Sequence, residues 1–268
     1  MGGFYQWFYL RTNWLYTKIF ENGLFFFDYW SLVHLWSGLV IFLLLVAFKF
    51  NHKWLWLIGL LFAYELLEIG FLFFALHIFK PETLKDQVTD VLVGSLGGWI
   101  SYQLISLTSD KAFSYKFLQK FPLVFSSSTL AFVWVGNYQY QYNISILNTP
   151  GLNLWAFFLW CIGGYYTLKM YLFLKKCISK KYTQLIYLWI VYFAILLIVE
   201  FIAYNWLHIS EIGNANKTSL IFDLIHGNYW LHLYYLIAPF LMILLYETFI
   251  VFLIRAKEAA IQQGKRNK

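Results

Sequence analysis

The sequence predicts an all-α integral membrane protein: a polytopic helical bundle of about seven spans, N-terminus outside and C-terminus inside. Three observations predict this. Of 268 residues, 61% are hydrophobic and only 12% charged, about half the charge of a soluble domain. The apolar residues come in long runs, and with no water in a bilayer core such runs must be helices. The short alternating segments of a transmembrane barrel are not seen. Third, lysine and arginine are distributed unevenly between alternate loops.

Seven apolar runs cover residues 29–50, 54–78, 88–107, 121–135, 154–174, 185–207 and 229–254. The fourth is the shortest and contains Pro122 and Ser126-Ser127-Ser128. With all seven counted, Lys49, Lys53, Lys111, Lys116, Lys120, Lys175, Lys176, Lys180, Lys181 and the tail cations Arg255, Lys257, Lys265, Arg266 and Lys268 fall on one side. The other side holds Arg11, Lys18, Lys80, Lys85 and Lys217. The positive-inside rule makes the first side cytoplasmic. Omitting the fourth run would separate the later basic loops from the earlier ones. The net charge of +7 is thereby read as topology, and a nucleic-acid partner is not expected.

Residues 1–28 form an aromatic-rich segment, read as a helix in the outer interface because Phe4, Trp7, Phe8, Leu15 and Ile19 recur at helical spacing, or equally as a loop packed on the bundle. Residues 29–107 form a three-helix unit, 108–254 supply four more helices, and 255–268 are a basic cytoplasmic tail. A cleavable signal peptide is not expected, since Arg11, Lys18 and Glu21 interrupt the N-terminal segment. Cys161 and Cys177 would lie roughly 24 Å apart on one helix, too far for a disulfide.

Ionisable residues inside spans are costly and therefore candidates for function. His34, Glu68 and Asp90 are expected at a similar depth in the outer half of three consecutive helices. Glu65 and Glu68 share a helix face. Asp86, Asp90, Gly94 and Gly97 form one stripe, and the glycines would admit a neighbouring helix closely. Glu68, Asp86, Asp90 and His34 are the candidates for catalysis, and Glu68, Asp86 and Asp90 for a divalent metal. Carboxylates suit Mg²⁺, Mn²⁺ or Ca²⁺, and His34 would add Zn²⁺. Crowded carboxylates could alternatively handle protons, or His34 could cap an acid in a structural network. Asp28, Glu65, Glu200, Asp223 and His226 are secondary candidates; Asp28 alone reads as a helix N-cap and Glu65 alone as structural. His232 lies near the start of the seventh span. Glu247 reads as structural, within reach of the Arg255 region.

The order Asp28, His34, Gly38, then Tyr64-Glu65-Leu66-Leu67-Glu68, then Asp86 through Gly97 resembles the VanZ-like superfamily of small bacterial membrane proteins, with its YjdF-type relatives. The resemblance covers residues 28–102. It implies an envelope protein and no settled reaction. Apart from Lys80 and Lys85, the segment joining the acid pairs lacks the family's basic residue, which counts against a site that grips phosphate through arginine.

Three functions follow as expectations. The first is an outward-facing acidic cavity that binds or processes an envelope lipid or its head group, with metal-assisted hydrolysis or group transfer as the natural chemistry. The second is a non-catalytic subunit of a larger membrane complex, its acids serving as interhelical glue. The third is a small proton-coupled transporter, although no repeated half is evident. Several classes are excluded. The last span holds no retinal-type lysine, and the chain has neither a phosphate-binding Gly-x-x-x-x-Gly-Lys loop nor a His-Glu-x-x-His helix. A second acid motif of the prenyltransferase kind is missing. The sequons at Asn143 and Asn216 occur about as often as chance supplies them.

Overall fold

A computed structural model describes residues 10–70, 83–107, 113–212 and 229–266. After a 3-10 turn at Asn13–Tyr16, strands β1 (Lys18–Glu21) and β2 (Phe26–Asp28) form an antiparallel hairpin. Seven long α-helices follow among the described residues: α1 (Tyr29–Ala47), α2 (Lys53–Gly70), α3 (Leu84–Leu107), α4 (Phe113–Tyr138), α5 (Leu154–Cys177), α6 (Lys181–Phe201) and α7 (Tyr229–Arg266). The described residues are thus mostly helical, with one small hairpin.

Among the described residues, four helical stretches are long and apolar enough to cross a membrane: Tyr29–Ala47, Leu154–Cys177, Lys181–Trp206 and Tyr229–Gln262. The other three helices carry heavier polar loads. α2 contains Lys53, Glu65 and Glu68, α3 contains Lys85, Asp86 and Asp90, and α4 contains the serine run. In α4 the hydroxyls are absorbed locally. Ser127 donates to the Leu123 carbonyl at 2.8 Å and Thr129 to that of Phe125 at 2.7 Å, the back-bonding by which serine and threonine survive inside helices. α7 runs through Pro239, whose ring removes one helical hydrogen bond. In the same turn the Leu236 carbonyl accepts from Trp189 Nε1 of α6 at 3.2 Å.

The chain divides into two compact units. The first comprises Met1–Leu118 and Ile250–Lys268, the second Gln119–Phe249.

In the first unit, α1 and α3 cross at glycines. A Cβ on Gly38 would lie 1.8 Å from the Gly94 carbonyl oxygen, and one on Gly97 would lie 2.0 Å from that of Leu35. Backbone therefore meets backbone, as small residues allow between apolar helices. Leu57 and Leu61 of α2 fill the space beside this crossing, each 1% exposed or less. A Cβ on Gly94 or Gly98 would meet their methyl groups at 2.6 Å and 2.3 Å. Asp28 opens α1 as its N-cap: Oδ1 accepts from the Ser31 N–H at 2.9 Å, and the Ser31 hydroxyl accepts from the Asp28 N–H at 3.4 Å.

The hairpin corrects the expected interfacial helix at Ile19, which lies in β1. Its turn is built on Asn22, whose side-chain oxygen accepts from the N–H groups of Leu24 and Phe25 at 2.8 and 2.7 Å. Asparagine favours such a turn because its side chain can accept hydrogen bonds from backbone N–H groups just ahead of it. Of the other residues that suggested a helix, Leu15 is buried in the 3-10 turn, and Phe4, Trp7 and Phe8 lie outside the described residues. Lys85 ties the hairpin to the start of α3, donating to Glu21 at 2.5 Å and to the Asn22 carbonyl at 3.0 Å. The Phe26 N–H donates to Thr89 Oγ1 at 3.2 Å.

In the second unit, α4, α5 and the unit's part of α7 share an aromatic core. Trp134 stacks on Tyr234 with centroids 3.8 Å apart, and Trp134 and Trp160 both donate to the Tyr140 hydroxyl. Asn153 caps α5, accepting from the Ala156 N–H at 3.0 Å, and its amide ties down the preceding loop through the Tyr140 and Leu147 carbonyls.

Candidate functional site

The first unit gathers three ionisable side chains from three consecutive helices. His34 of α1 lies two turns into the helix, Glu65 comes from α2, and Asp90 from α3 just above the glycine crossing. All three are buried, at 1%, 4% and 3% exposure. His34 Nε2 is 3.3 Å from Glu65 Oε1 and 3.7 Å from Asp90 Oδ2. One ligand atom from each residue can be chosen so that all lie within 4.8 Å of one another.

The crossing explains the convergence. Gly38 is one turn beyond His34 on α1, and Gly94 one turn beyond Asp90 on α3. With Gly38 against Gly94, the residues one turn away are brought together as well. Leu61 packs at Gly94, and Glu65, four residues on, then reaches the same level. Aromatic rings orient the imidazole. Tyr64 meets it edge-on at 5.2 Å between centroids, and Trp30 does so at 6.2 Å.

Glu68 takes a different place from the one expected. It accepts from Trp30 Nε1 at 2.5 Å and from the Tyr16 hydroxyl at 3.1 Å, a neighbouring station bound to the N-terminal segment. Asp86 lies one turn before Asp90 and is half-buried in the first turn of α3, outside the group of three. Asp28 serves as the N-cap.

The remaining candidates belong to the second unit. Glu200 accepts from the Tyr235 hydroxyl at 2.5 Å. His232 is buried at the start of α7, its ring 6.4 Å from that of Tyr229. Glu247 pairs with Tyr171 at 2.8 Å and Lys175 at 3.0 Å, so its cation comes from α5, not from the Arg255 region. Asp223, His226 and the Asn216 sequon lie outside the described residues. Asn143 of the other sequon uses its whole amide in the loop, donating to the His208 carbonyl and accepting from the Ser210 N–H, each at 2.9 Å.

Glu65 is a secondary candidate in the sequence, and Trp30, Tyr16 and Tyr64 are not among its site candidates. The signal for Glu65 was its depth: it lies one turn deeper than Glu68, nearer the level of the glycine crossing. The aromatic donors carry no comparable signal in a chain that is 23% aromatic.

Compared with protein-family models, with curated proteins and with solved structures, the chain matches none.

Proposed function

We propose that this is a multi-pass membrane protein whose first unit binds or processes an envelope lipid through its head group, at the His34–Glu65–Asp90 centre. The observation that carries the reading is the convergence of three buried ionisable side chains from three helices whose other faces suit hydrocarbon. On α2, Glu65 is buried while its neighbours Leu66 and Leu67 are 70% and 71% exposed. Ionisable groups in such a setting are expensive and mark sites of function more often than packing. Among lipids, the part that matches carboxylate and imidazole chemistry is the polar head. Glu68, held by Tyr16 and Trp30, stands next to the centre as a further polar contact. The VanZ-like order of His34, the Glu65 and Glu68 pair, and the Asp86 and Asp90 pair supports an envelope role. Seven spans, with the N-terminus outside, complete the reading; they rest on the loop charges and on the helices found at each apolar run.

The test is lipid mass spectrometry on protein purified in mild detergent. Wild type should retain a defined lipid class, and Asp90→Asn should insert normally but lose it. Equal lipid in both, or none in wild type, would sink the proposal.

One observation favours a second reading as a subunit of a larger assembly. Only 6% of the most apolar window of Lys181–Trp206 is buried within the protein, against 44% for Tyr29–Ala47. A helix so bare lies against lipid or against another chain. Stoichiometric partner chains in the same preparation would favour this reading.

A further inference from the structure

We propose that His34, Glu65 and Asp90 bind one divalent transition-metal ion of the zinc–manganese class, through His34 Nε2 and one oxygen of each carboxylate. The inference deepens the head-group reading of this centre, and its test is separable from that reading.

The first argument is spacing. Ligands about 2.0–2.2 Å from a tetrahedral ion lie roughly 3.3–3.6 Å from one another. His34 Nε2 stands 3.3 Å and 3.7 Å from its two carboxylate oxygens. These two separations suit ligands of one ion better than the 2.7–2.9 Å typical of a charge-assisted hydrogen bond, and the carboxylate-to-carboxylate separation lies within 4.8 Å.

The second argument is the state of the polar atoms. His34 Nε2 is buried and makes no hydrogen bond, although it faces two acids; Asp90 Oδ1 is also buried without a hydrogen-bond partner. Buried nitrogen and oxygen atoms lacking such partners are uncommon and each calls for an explanation. An ion seated among the three residues would give the imidazole nitrogen its missing partner and draw Asp90 in.

The third argument is charge. Two ionised carboxylates in an apolar helix bundle are strongly unfavourable unless compensated. A dication with two carboxylates and a neutral imidazole makes a site of zero net charge. The mixed nitrogen and oxygen donor set favours zinc or manganese over calcium, which takes six to eight oxygens, and over magnesium, which keeps several waters. Three protein ligands are the number found at catalytic zinc, where a fourth position stays open for water or substrate. Glu68 lies outside the ligand set, bound to Trp30 and Tyr16.

The experiment uses the full chain in mild detergent, stripped with a chelator and titrated separately with Zn²⁺ and with Mn²⁺. Bound metal is measured by elemental mass spectrometry after gel filtration. One equivalent should be retained in wild type and in Glu68→Gln. His34→Ala, Glu65→Gln and Asp90→Asn should each weaken binding at least about a hundredfold, beyond the roughly ten- to hundredfold of outer-shell changes. Because a ligand variant can fail to fold, the wild-type protein is also loaded with Mn²⁺ and examined by electron spin-echo spectroscopy. A single imidazole nitrogen coupled to the ion is expected. No retained equivalent in wild type, retention unchanged in the ligand variants, or a bound ion without nitrogen coupling would each overturn the assignment. Lipid measured in the same preparations separates the two claims. Lipid retained without metal refutes the metal alone, and metal retained without lipid refutes the head-group reading alone.

Discussion

Glu21 illustrates how one side chain joins a peripheral element to a helix. Its carboxyl is held below the usual range first by the hydrogen bond from Lys85, then by that from Lys18. A carboxylate with a depressed folded value contributes stability above its unfolded value near 4.5, and that contribution is lost as pH falls through the lower folded value. Both partners are on the surface, so salt should weaken the link. Amide exchange across residues 18–28 should therefore quicken as pH drops from 6 to below about 4, once corrected for intrinsic exchange. Glu21→Gln should show fast exchange at both pH values; a pH step that persists in this variant would rule the pair out. At the same scale, Glu68 shows how neutral donors help to hold a carboxylate. Two neutral donors, an indole N–H and a phenol, replace the water it has lost.

Among the elements, the crossing of α1 and α3 organises the first unit. Gly38, Gly94 and Gly97 bring two backbones into contact, and His34 and Asp90 meet because they stand one turn from that contact. Gly38→Ala places a methyl where the Gly94 carbonyl already sits. Backbone cannot yield as a flexible side chain can, so the helices must part. The cost should be at least the roughly 1–3 kcal/mol typical of overpacking. A fall in thermal unfolding temperature should be matched by loss of whatever the centre binds. Gly59→Ala is the control, because a Cβ there meets nothing within 4 Å. Equal behaviour of the two variants would contradict the crossing's role. The hairpin is an element of another kind. Its Asn22 turn and its ties to Lys85 and Thr89 are specific, yet its strands are only four and three residues long. Such a hairpin is marginal unless packed on something larger.

For the whole molecule, the testable quantity is the parity of spans. Seven spans with the C-terminus inside place Cys177, at the exposed end of α5, on the cytoplasmic side. In a Cys161→Ser background, an impermeant maleimide should label Cys177 only after the cells are opened. Labelling of intact cells would mean that the span count before this residue, or the orientation, is wrong. This experiment bears on the three helices whose polar content sets them apart from the four that, among the described residues, are long and apolar enough to cross a membrane.

Composition and periodicity were enough to specify helices at every apolar run, the Asp28 cap, and a glycine stripe on α3 made for close packing. These are properties of a short stretch of chain, decided by hydrogen-bond satisfaction in hydrocarbon and by the absence of a side chain, so they can be read locally. The sequence also points to three acids and one histidine in the first three helices as its primary candidates, with Glu200, Asp223 and His226 as secondary ones further along. Which of those acids meet was a matter of three-dimensional register. Glu65 joins His34 because Leu61, one turn earlier, packs at Gly94, and Glu68 turns instead to Trp30 and Tyr16. A rotation of α2 by one residue, about 100°, would turn Glu65 away from His34 without altering the helix's hydrophobicity. The hairpin at residues 18–28 was likewise decided by its anchors on α3, because a four-residue strand and an amphipathic helical turn share the same apolar content. Local chemistry sets which residues must be helical and buried; only packing between helices sets which buried groups face one another.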